Sequence, residues 1–173
     1  MTAQILTQDY LKSILWYDPE TGFLFWMAKT SSKSSVCIGD RAGSIDHNGY
    51  VVIGINGNLY KAHRIIWMMC YGYLPPNQID HQDHNPSNNR LENIRAVTRQ
   101  ENQRNAQLRT DNKSGIIGVY WHKQNLKWQA QIKIDGKTRY LGIFDHLFLA
   151  ACARKSAEIK YGFHLNHGQR SPV

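Results

Sequence analysis

The sequence predicts an α+β fold, and three features of its hydrophobic pattern support this class. Short apolar runs broken by turn residues fill the first 60 residues, a compact apolar segment of helical length covers residues 63–71, and residues 119–144 alternate between apolar and polar side chains. Period-two alternation is typical of half-buried strands. Strands and helices grouped along the chain in this way are typical of α+β proteins.

The N-terminal region is predicted to be rich in β-strands. Gly22–Trp26 has the composition of a strand, and Val51–Ile53 follows the turn residues Asn48–Gly49. Asn56–Gly57 is a hairpin signal because both residue types tolerate positive φ. Residues 30–35 (TSSKSS) are polar throughout and are predicted to form a loop.

A helix is predicted at His63–Tyr71, because this segment is apolar and is followed by Gly72, which suits the left-handed conformation at a helix end. Pro75–Pro76 stops the helix. Ile79–His81 then forms a short strand.

A strand, a loop, a second strand and a helix are predicted between residues 79 and 108. Residues 83–90 (DHNPSNNR) are turn formers, and Leu91–Val97 returns as the second strand. Thr98 and Glu101 have the spacing of a capping box, which places Asn102 in the first turn of the helix.

A second module of a different kind is predicted beyond residues 109–114, a polar segment that is predicted to be a linker. Asp135–Gly136 is the turn signal of a hairpin. The three predicted strands are residues 119–122, 128–134 and 138–144. Trp121 and Trp128 fall on the apolar side of the alternation and are predicted to lie in the core.

A helix is predicted to follow these strands, to end at Gly162 and to cover their apolar face. The residues that give it a helical period are Leu147, Phe148, Ala151, Cys152, Lys155 and Ile159.

The composition indicates a polyanionic partner. The formal net charge is +8, which favours nucleic acid, although charge alone is equally compatible with a basic protein that has no such role. The longest apolar run, Ile65–Tyr71, is far below the roughly 20 residues that span a bilayer, and no secretory signal is visible, so no membrane association is expected. Three scattered cysteines form neither a disulfide framework nor a zinc pair, which suits a cytoplasmic location.

One group of residues suggests the chemistry. Asp80 and His81 are adjacent, Asn93 follows twelve residues after His81, and Asn102 follows nine residues later. Carboxylate and amide oxygens are ligands that Mg²⁺ or Mn²⁺ accepts, and a neighbouring histidine can take a proton from water. This set suits the hydrolysis of phosphodiesters with one hard metal ion. Taken alone, Asp80–His81 is also a common turn dipeptide.

Residues 63–105 resemble the HNH endonucleases, in the branch common among phage homing and free-standing endonucleases. The resemblance rests on the HR pair, the DH dipeptide, the run NN..L.N.R and the closing helix EN..N. It implies that Asp80 and Asn102 hold one divalent metal, that His81 activates water as the general base, and that Asn93 orients His81 by a hydrogen bond. The last family position is often histidine, so Asn102 makes this chain an HNN variant.

Residues 114–162 resemble the Apetala-type (ethylene-response-factor) DNA-binding domain, because the elements GV, W.A.I, LG.F and AA occur in that order. The resemblance implies that the outer face of the three-stranded sheet enters the major groove of double-stranded DNA. That face offers Tyr120, His122, Gln131, Lys133, Thr138 and Tyr140. Gln131 suits adenine and Lys133 suits guanine, while most arginines and tryptophans of the plant family are replaced here.

Four arginines are predicted to contact phosphate, with a solvated or structural role as the alternative for each. They are Arg64, Arg95, Arg99 and Arg104. His84, Asn88 and Asn89 are predicted to be loop residues without a site role.

The predicted organisation is an HNH nuclease domain at residues 1–108, a linker at 109–114, an Apetala-type domain at 115–165 and a tail at 166–173. Within the first domain, residues 1–60 are the β-rich part and residues 77–108 the ββα-metal core. The predicted function is a phage homing or free-standing DNA endonuclease, monomeric or dimeric, that nicks or cuts both strands. The alternative is a DNA-binding regulator with an inactive nuclease core.

Overall fold

The computed structural model of the protein describes residues 6–30, 36–75 and 77–169. Residues 31–35 of the predicted loop, Pro76 and the last four residues of the predicted tail lie outside this part of the chain. Contacts divide the chain into two compact units, Met1–Val97 and Thr98–Val173. Both units combine helices with antiparallel strands, so the predicted α+β class is confirmed.

The first unit contains two helices and three antiparallel sheets. The sheets pair β1 with β2, β3 with β4 and β5, and β6 with β7. The elements in chain order are α1 (Gln8–Ile14), β1 (Leu15–Asp18), β2 (Phe23–Trp26), β3 (Ser44–Ile45), β4 (Val51–Ile55), β5 (Asn58–Lys61), α2 (Ala62–Tyr71), β6 (Gln78–His81) and β7 (Ile94–Val97).

Helix α1 was not predicted from the sequence. It begins after Thr7, whose hydroxyl accepts a hydrogen bond from the backbone N–H of Tyr10, and it buries Leu11 and Ile14. A helix of two turns presents too few buried positions for a helical period to appear.

Helix α2 and its end are confirmed. Gly72 has φ of +79° and donates its backbone N–H to the carbonyl of Met68, as expected for a left-handed residue after a helix. The buried face of α2 packs with Ile53 and Ile55 of β4 in the core of the first unit. Asn56 and Gly57 have φ of +51° and +80°, which confirms the predicted hairpin turn.

Among the described residues, the second unit contains the predicted three-stranded antiparallel sheet and the helix that follows it, together with a short helix that the sequence grouped with the nuclease core. The strand order is β10-β9-β8, and Asp135 and Gly136 form the predicted turn with positive φ. The elements are α3 (Arg99–Arg104), β8 (Val119–His122), β9 (Lys127–Ile134), β10 (Lys137–Phe144) and α4 (Leu147–Lys160).

The prediction that Trp121 lies in the core is wrong, because its side chain is 44% exposed. It lies opposite Trp128 and contacts that ring edge-on with 5.3 Å between centroids. The core begins two residue pairs further along the sheet, at the next pair on the same face, where Val119 and Ala130 pack with Ala150.

Helix α4 is confirmed, but the face that it buries was predicted wrongly. Phe148 and Ile159, two residues of the predicted period, are 74% and 81% exposed. The buried residues of α4 are Ala150, Arg154, Ala157 and Glu158. The two alanines are small enough to let the helix approach the sheet, and the two charged residues neutralise each other.

A buried ion network surrounds Arg154. Its guanidinium donates to Glu158 Oε1 at 2.9 Å, to the carbonyl of Gln131 at 2.9 Å and to His167 Nε2 at 3.0 Å. Lys155 approaches the other oxygen of Glu158 at 2.8 Å. A buried charge is tolerated only when it is paired in this way.

A segment that we call the C-terminal strap, residues 164–169, holds the chain that follows α3. The backbone N–H of His164 donates to the carbonyl of Arg104, the N–H of Gly168 to the carbonyl of Ala106, and the N–H of Leu108 to the carbonyl of Gln169. Helix α3 also contacts the β9–β10 turn, because Gln100 donates a hydrogen bond to Asp135.

The second unit is expected to lose stability in mild acid. Burial lowers the pKa of His167 to about 4, whereas an unfolded histidine titrates near 6.5. Between these pH values the unfolded chain binds a proton that the folded chain does not. The contribution of His167 to the free energy of unfolding is therefore complete above pH 6.5 and falls by on the order of 3 kcal/mol as the pH drops to about 4.

Urea unfolding across this pH range would measure the effect, with His167→Gln as the comparison. Glutamine keeps an acceptor for Arg154 and does not titrate, so the variant should show a shallower pH dependence. Equal slopes for both proteins would assign the acid sensitivity to other groups.

Candidate active site

The hairpin of β6 and β7 positions the predicted catalytic pair in the first unit. Asp80 lies opposite Arg95 and His81 opposite Ile94 in its register. Both Asp80 and His81 are buried. The two side chains leave consecutive strand residues, so strand geometry directs them to opposite faces of the hairpin.

The carboxylate of Asp80 is paired with Arg95. The Nε and Nη2 atoms of Arg95 both donate to Asp80 Oδ2, at 3.1 and 2.9 Å. Arg95 is 34% exposed, so its guanidinium lies between the buried carboxylate and solvent. An arginine that was predicted to contact phosphate therefore also compensates the charge of the predicted metal ligand.

The imidazole of His81 has a defined orientation. His81 Nε2 lies 3.1 Å from Asn89 Oδ1, and the Nδ2 of the same amide donates to the carbonyl of Ser87. Because an amide oxygen only accepts, Nε2 carries the proton, and Nδ1 is the basic nitrogen of the neutral ring.

Asn93 does not make the predicted hydrogen bond to His81. Its Nδ2 donates to Asp83 Oδ1 at 2.9 Å and to the carbonyl of Asn88 at 2.7 Å, and its Oδ1 accepts from the N–H of Asp83 at 3.0 Å. The reason is its place just before β7, beside the loop at residues 83–88. The bond to His81 comes from Asn89, which the sequence assigned to the loop.

Two aromatic side chains enclose His81. The ring of His63 contacts it edge-on with 5.1 Å between centroids, and Tyr50 lies at 5.8 Å from His81 and 5.5 Å from His63. Burial lowers the pKa of His63 to about 3. Burial also lowers the pKa of His81, although Asn89, Asp83 and Asp80 oppose the shift. Both rings are therefore neutral near pH 7, as a general base requires.

The β1–β2 hairpin supports the loop that carries Asn89. Tyr17 donates its hydroxyl to the carbonyl of Asn89 at 3.2 Å and accepts from the N–H of Leu91 at 3.1 Å. Gly22 has φ of +76°, and a Cβ atom there would lie 2.7 Å from the backbone nitrogen of Arg90. The hairpin and the loop are thus in direct backbone contact.

Gly22→Ala is expected to destabilise the first unit more than Gly57→Ala. Both glycines have positive φ, which costs an alanine about 1–2 kcal/mol, but a Cβ at Gly57 meets nothing within 4 Å. Denaturant unfolding of the two variants would isolate the packing contribution. Equal losses would mean that the hairpin does not hold the loop.

Asn102 lies on α3, in the second unit. The capping box that was predicted to place it is present, because Thr98 Oγ1 accepts from the N–H of Glu101 and Glu101 bonds back to the N–H of Thr98. Arg64 lies half-buried on α2 in the first unit.

The predicted DNA-binding residues of the second unit fall into two groups. Tyr120, His122 and Tyr140 lie on the outer face of the sheet, where the Tyr120 hydroxyl accepts a hydrogen bond from Gln129. The other group lines a cleft of about 740 Å³ and comprises Arg99, Arg104, Gln131, Lys133 and Thr138. The strand register places the last three of these on the same outer face, with Gln131 opposite Tyr140 and Lys133 opposite Thr138.

In the first unit, the buried carboxylate of Asp80 is a donor that suits a divalent metal. Among the residues that the structure describes, no group of three or more His, Cys, Asp and Glu side chains is arranged to hold a metal ion. Mg²⁺ commonly binds through one or two carboxylates and completes its shell with water and substrate phosphate, so Asp80 is compatible with such a site.

In the described part of the chain, no helix is long and apolar enough to span a membrane.

Comparison with known proteins identifies the region around this site. Residues 60–104 match a protein family described as HNH endonuclease, whose members typically use a divalent metal. Protein 3.8 of Escherichia phage T7 is 35% identical over 82 residues, which are 45% of this chain and 68% of the phage protein. A solved structure described as "DNA binding and cleavage by the HNH homing endonuclease I-HmuI" is 23% identical and covers 73% of this chain and 71% of that chain, with a TM-score of 0.41. The chain belongs to the same family as protein 3.8 of phage T7, and its residues 60–104 form an HNH endonuclease domain.

Proposed function

We propose that the protein is a metal-dependent DNA endonuclease of the HNH type that hydrolyses phosphodiester bonds. The observation that carries the proposal is the buried, neutral imidazole of His81 next in sequence to the buried carboxylate of Asp80, within the segment that matches HNH endonucleases. A neutral imidazole and a hard oxygen ligand on consecutive residues of one strand supply the base and the metal ligand of this reaction.

Each residue of the site has a separate role in the proposed reaction. His81 Nδ1 takes the proton of the attacking water, and Asn89 holds the ring through Nε2. Asp80 would hold Mg²⁺ or Mn²⁺, and the HNH resemblance adds Asn102 as a second ligand. When bound, the ion acts as a Lewis acid on the scissile phosphate and the leaving oxygen. The products are a 5′ phosphate and a 3′ hydroxyl.

The second unit is proposed to give site preference as an Apetala-type module. Its three-stranded sheet backed by α4 supports this proposal, as does the exposed outer face with Tyr120 and Tyr140. A nuclease core joined to a separate DNA reader suits a phage homing or free-standing endonuclease.

A supercoiled-plasmid assay with Mg²⁺, with Mn²⁺ and with EDTA tests the function. Metal-dependent conversion to open-circle or linear DNA is expected, and the product form distinguishes nicking from cutting of both strands. DNA that is bound but never cut with either metal would support a DNA-binding regulator instead.

Asn89→Ala is expected to slow cleavage by roughly ten- to a hundred-fold, because the ring of His81 loses the acceptor that orients it. Asn89→Asp keeps an acceptor oxygen at the same place and should recover part of the rate. The measurement is single-turnover cleavage at saturating metal.

Asn93→Ala provides the comparison for that variant. Its amide bonds to the loop at residues 83–88, so its loss should appear first as reduced stability of the first unit. If Asn89→Ala cleaves like the wild type while Asn93→Ala does not, the orienting role belongs to Asn93.

A further inference from the structure

The cleft of the second unit joins residues that the sequence assigned to two different modules. Arg99 and Arg104 come from α3, which the sequence grouped with the nuclease core, whereas Lys133 and Thr138 come from the predicted DNA reader. Strand β8 pairs with β9 only over Lys127–Ala130, so within the described residues the last part of β9 has no strand on that side. The cleft lies at this part of β9, and α3 forms its other wall.

The lining of the cleft has an excess of positive charge. Its cationic side chains are Arg99, Arg104, Lys133 and Arg154. Among the described lining residues the only carboxylate is Asp135, which accepts a hydrogen bond from Gln100 and lies 4.0 Å from Arg104. Glu158 compensates the charge of Arg154. Arg99 and Lys133 therefore supply positive charge for which the described residues of the cleft wall provide no counter-ion.

We propose that this cleft binds the sugar–phosphate backbone of one DNA strand. Guanidinium, ammonium, amide and hydroxyl groups are the donors that proteins use toward phosphate oxygens, and Gln103 and Thr138 complete such a set here. The inference rests on the proposed action on DNA and extends it, because Lys133 becomes a phosphate contact and not a reader of guanine. Base contacts are left to Tyr120, His122 and Tyr140.

Helix α3, which lines the cleft, is held to the rest of the second unit by hydrogen bonds. The C-terminal strap and the Gln100–Asp135 contact hold α3 and the sheet within one compact unit. A strand bound in the cleft therefore has a fixed position relative to α3, the helix that carries Asn102.

Salt-dependent binding tests the proposal without cleavage. Fluorescence anisotropy with a short labelled duplex in EDTA would compare the wild type with Arg99→Gln and Lys133→Gln, two exposed residues whose loss should leave the fold intact. Each variant should reduce the slope of log K against log salt by about 1 and weaken binding equally for unrelated sequences. Lys160→Gln, at the exposed end of α4, removes the same charge outside the cleft and should keep the wild-type slope.

Three outcomes would overturn the proposal. Unchanged slopes for both variants would exclude phosphate from the cleft. If binding is weakened for one preferred DNA sequence only, Lys133 reads a base. If the wild type binds an RNA duplex more tightly than the DNA duplex, and both variants weaken that binding as well, the occupant of the cleft is RNA. The binding assay contains no metal, so its result does not depend on cleavage. If the variants show the expected slopes but the protein never cuts DNA, the proposed phosphate site is supported and the proposed nuclease activity is refuted.

Discussion

His81→Ala is expected to lower the rate of DNA cleavage by roughly a hundred- to ten-thousand-fold, the range that general-base catalysis contributes. The neutral ring of His81, bonded to Asn89, is the group that takes the proton from water in the proposed reaction. DNA affinity should hardly change, because phosphate contacts elsewhere supply most of the binding free energy.

The measurement is single-turnover nicking of supercoiled plasmid, together with anisotropy in EDTA. His47→Ala is the matched control, since His47 is an exposed histidine of the same unit that contacts Asn48 outside the site. Cleavage by His81→Ala within a few-fold of the wild type would remove His81 from the chemistry. Loss of cleavage and binding together would indicate a folding defect, which circular dichroism would reveal.

Arg154→Ala is expected to cost about 3–5 kcal/mol of the free energy of unfolding of the second unit. The change leaves the buried carboxylate of Glu158 without its buried cationic partner and removes the donors to the carbonyl of Gln131 and to His167. An uncompensated buried charge is among the largest single effects on stability.

Denaturant unfolding followed by tryptophan fluorescence would measure this loss, because Trp121 and Trp128 both lie in the second unit. Lys155→Ala removes the other cation on Glu158, but Lys155 is 54% exposed, so a loss below about 1 kcal/mol is expected. The double variant Arg154→Met with Glu158→Leu should recover much of the stability. Equal losses for Arg154→Ala and Lys155→Ala would contradict the assigned importance of the buried pair.

The elements that were predicted correctly are those with local signals. The end of α2 at Gly72, the capping box of α3 and the turn at Asp135–Gly136 each depend on a few adjacent residues whose backbone preferences are strong. The strand that carries Asp80 and His81 was predicted for the same reason, since proline and turn residues delimit it on both sides.

The misassigned features depend on contacts between distant segments. Asn88, Asn89 and Asn93 are chemically identical in the sequence, and only the packed loop shows that Asn89 meets His81. His63 reaches the same ring from α2, and no spacing rule connects the two histidines. The buried face of α4 was missed because Arg154 and Glu158 are polar in isolation and become compatible with burial only as a pair.

The C-terminal strap implies an order of events during synthesis. Residues 164–169 leave the ribosome after α3 and the sheet of the second unit, yet they hold the chain at residues 104–108, at the end of α3 and just beyond it. A helix of six residues is not stable alone in water. Helix α3 therefore depends on contacts with the rest of the unit, and its hydrogen bonds to the strap form only after the strap has been made. A nascent chain that has made the HNH segment but not the strap therefore holds the Asn102 helix only loosely. In the proposed function, cleavage would therefore begin only after the unit that is proposed to give site preference has been made.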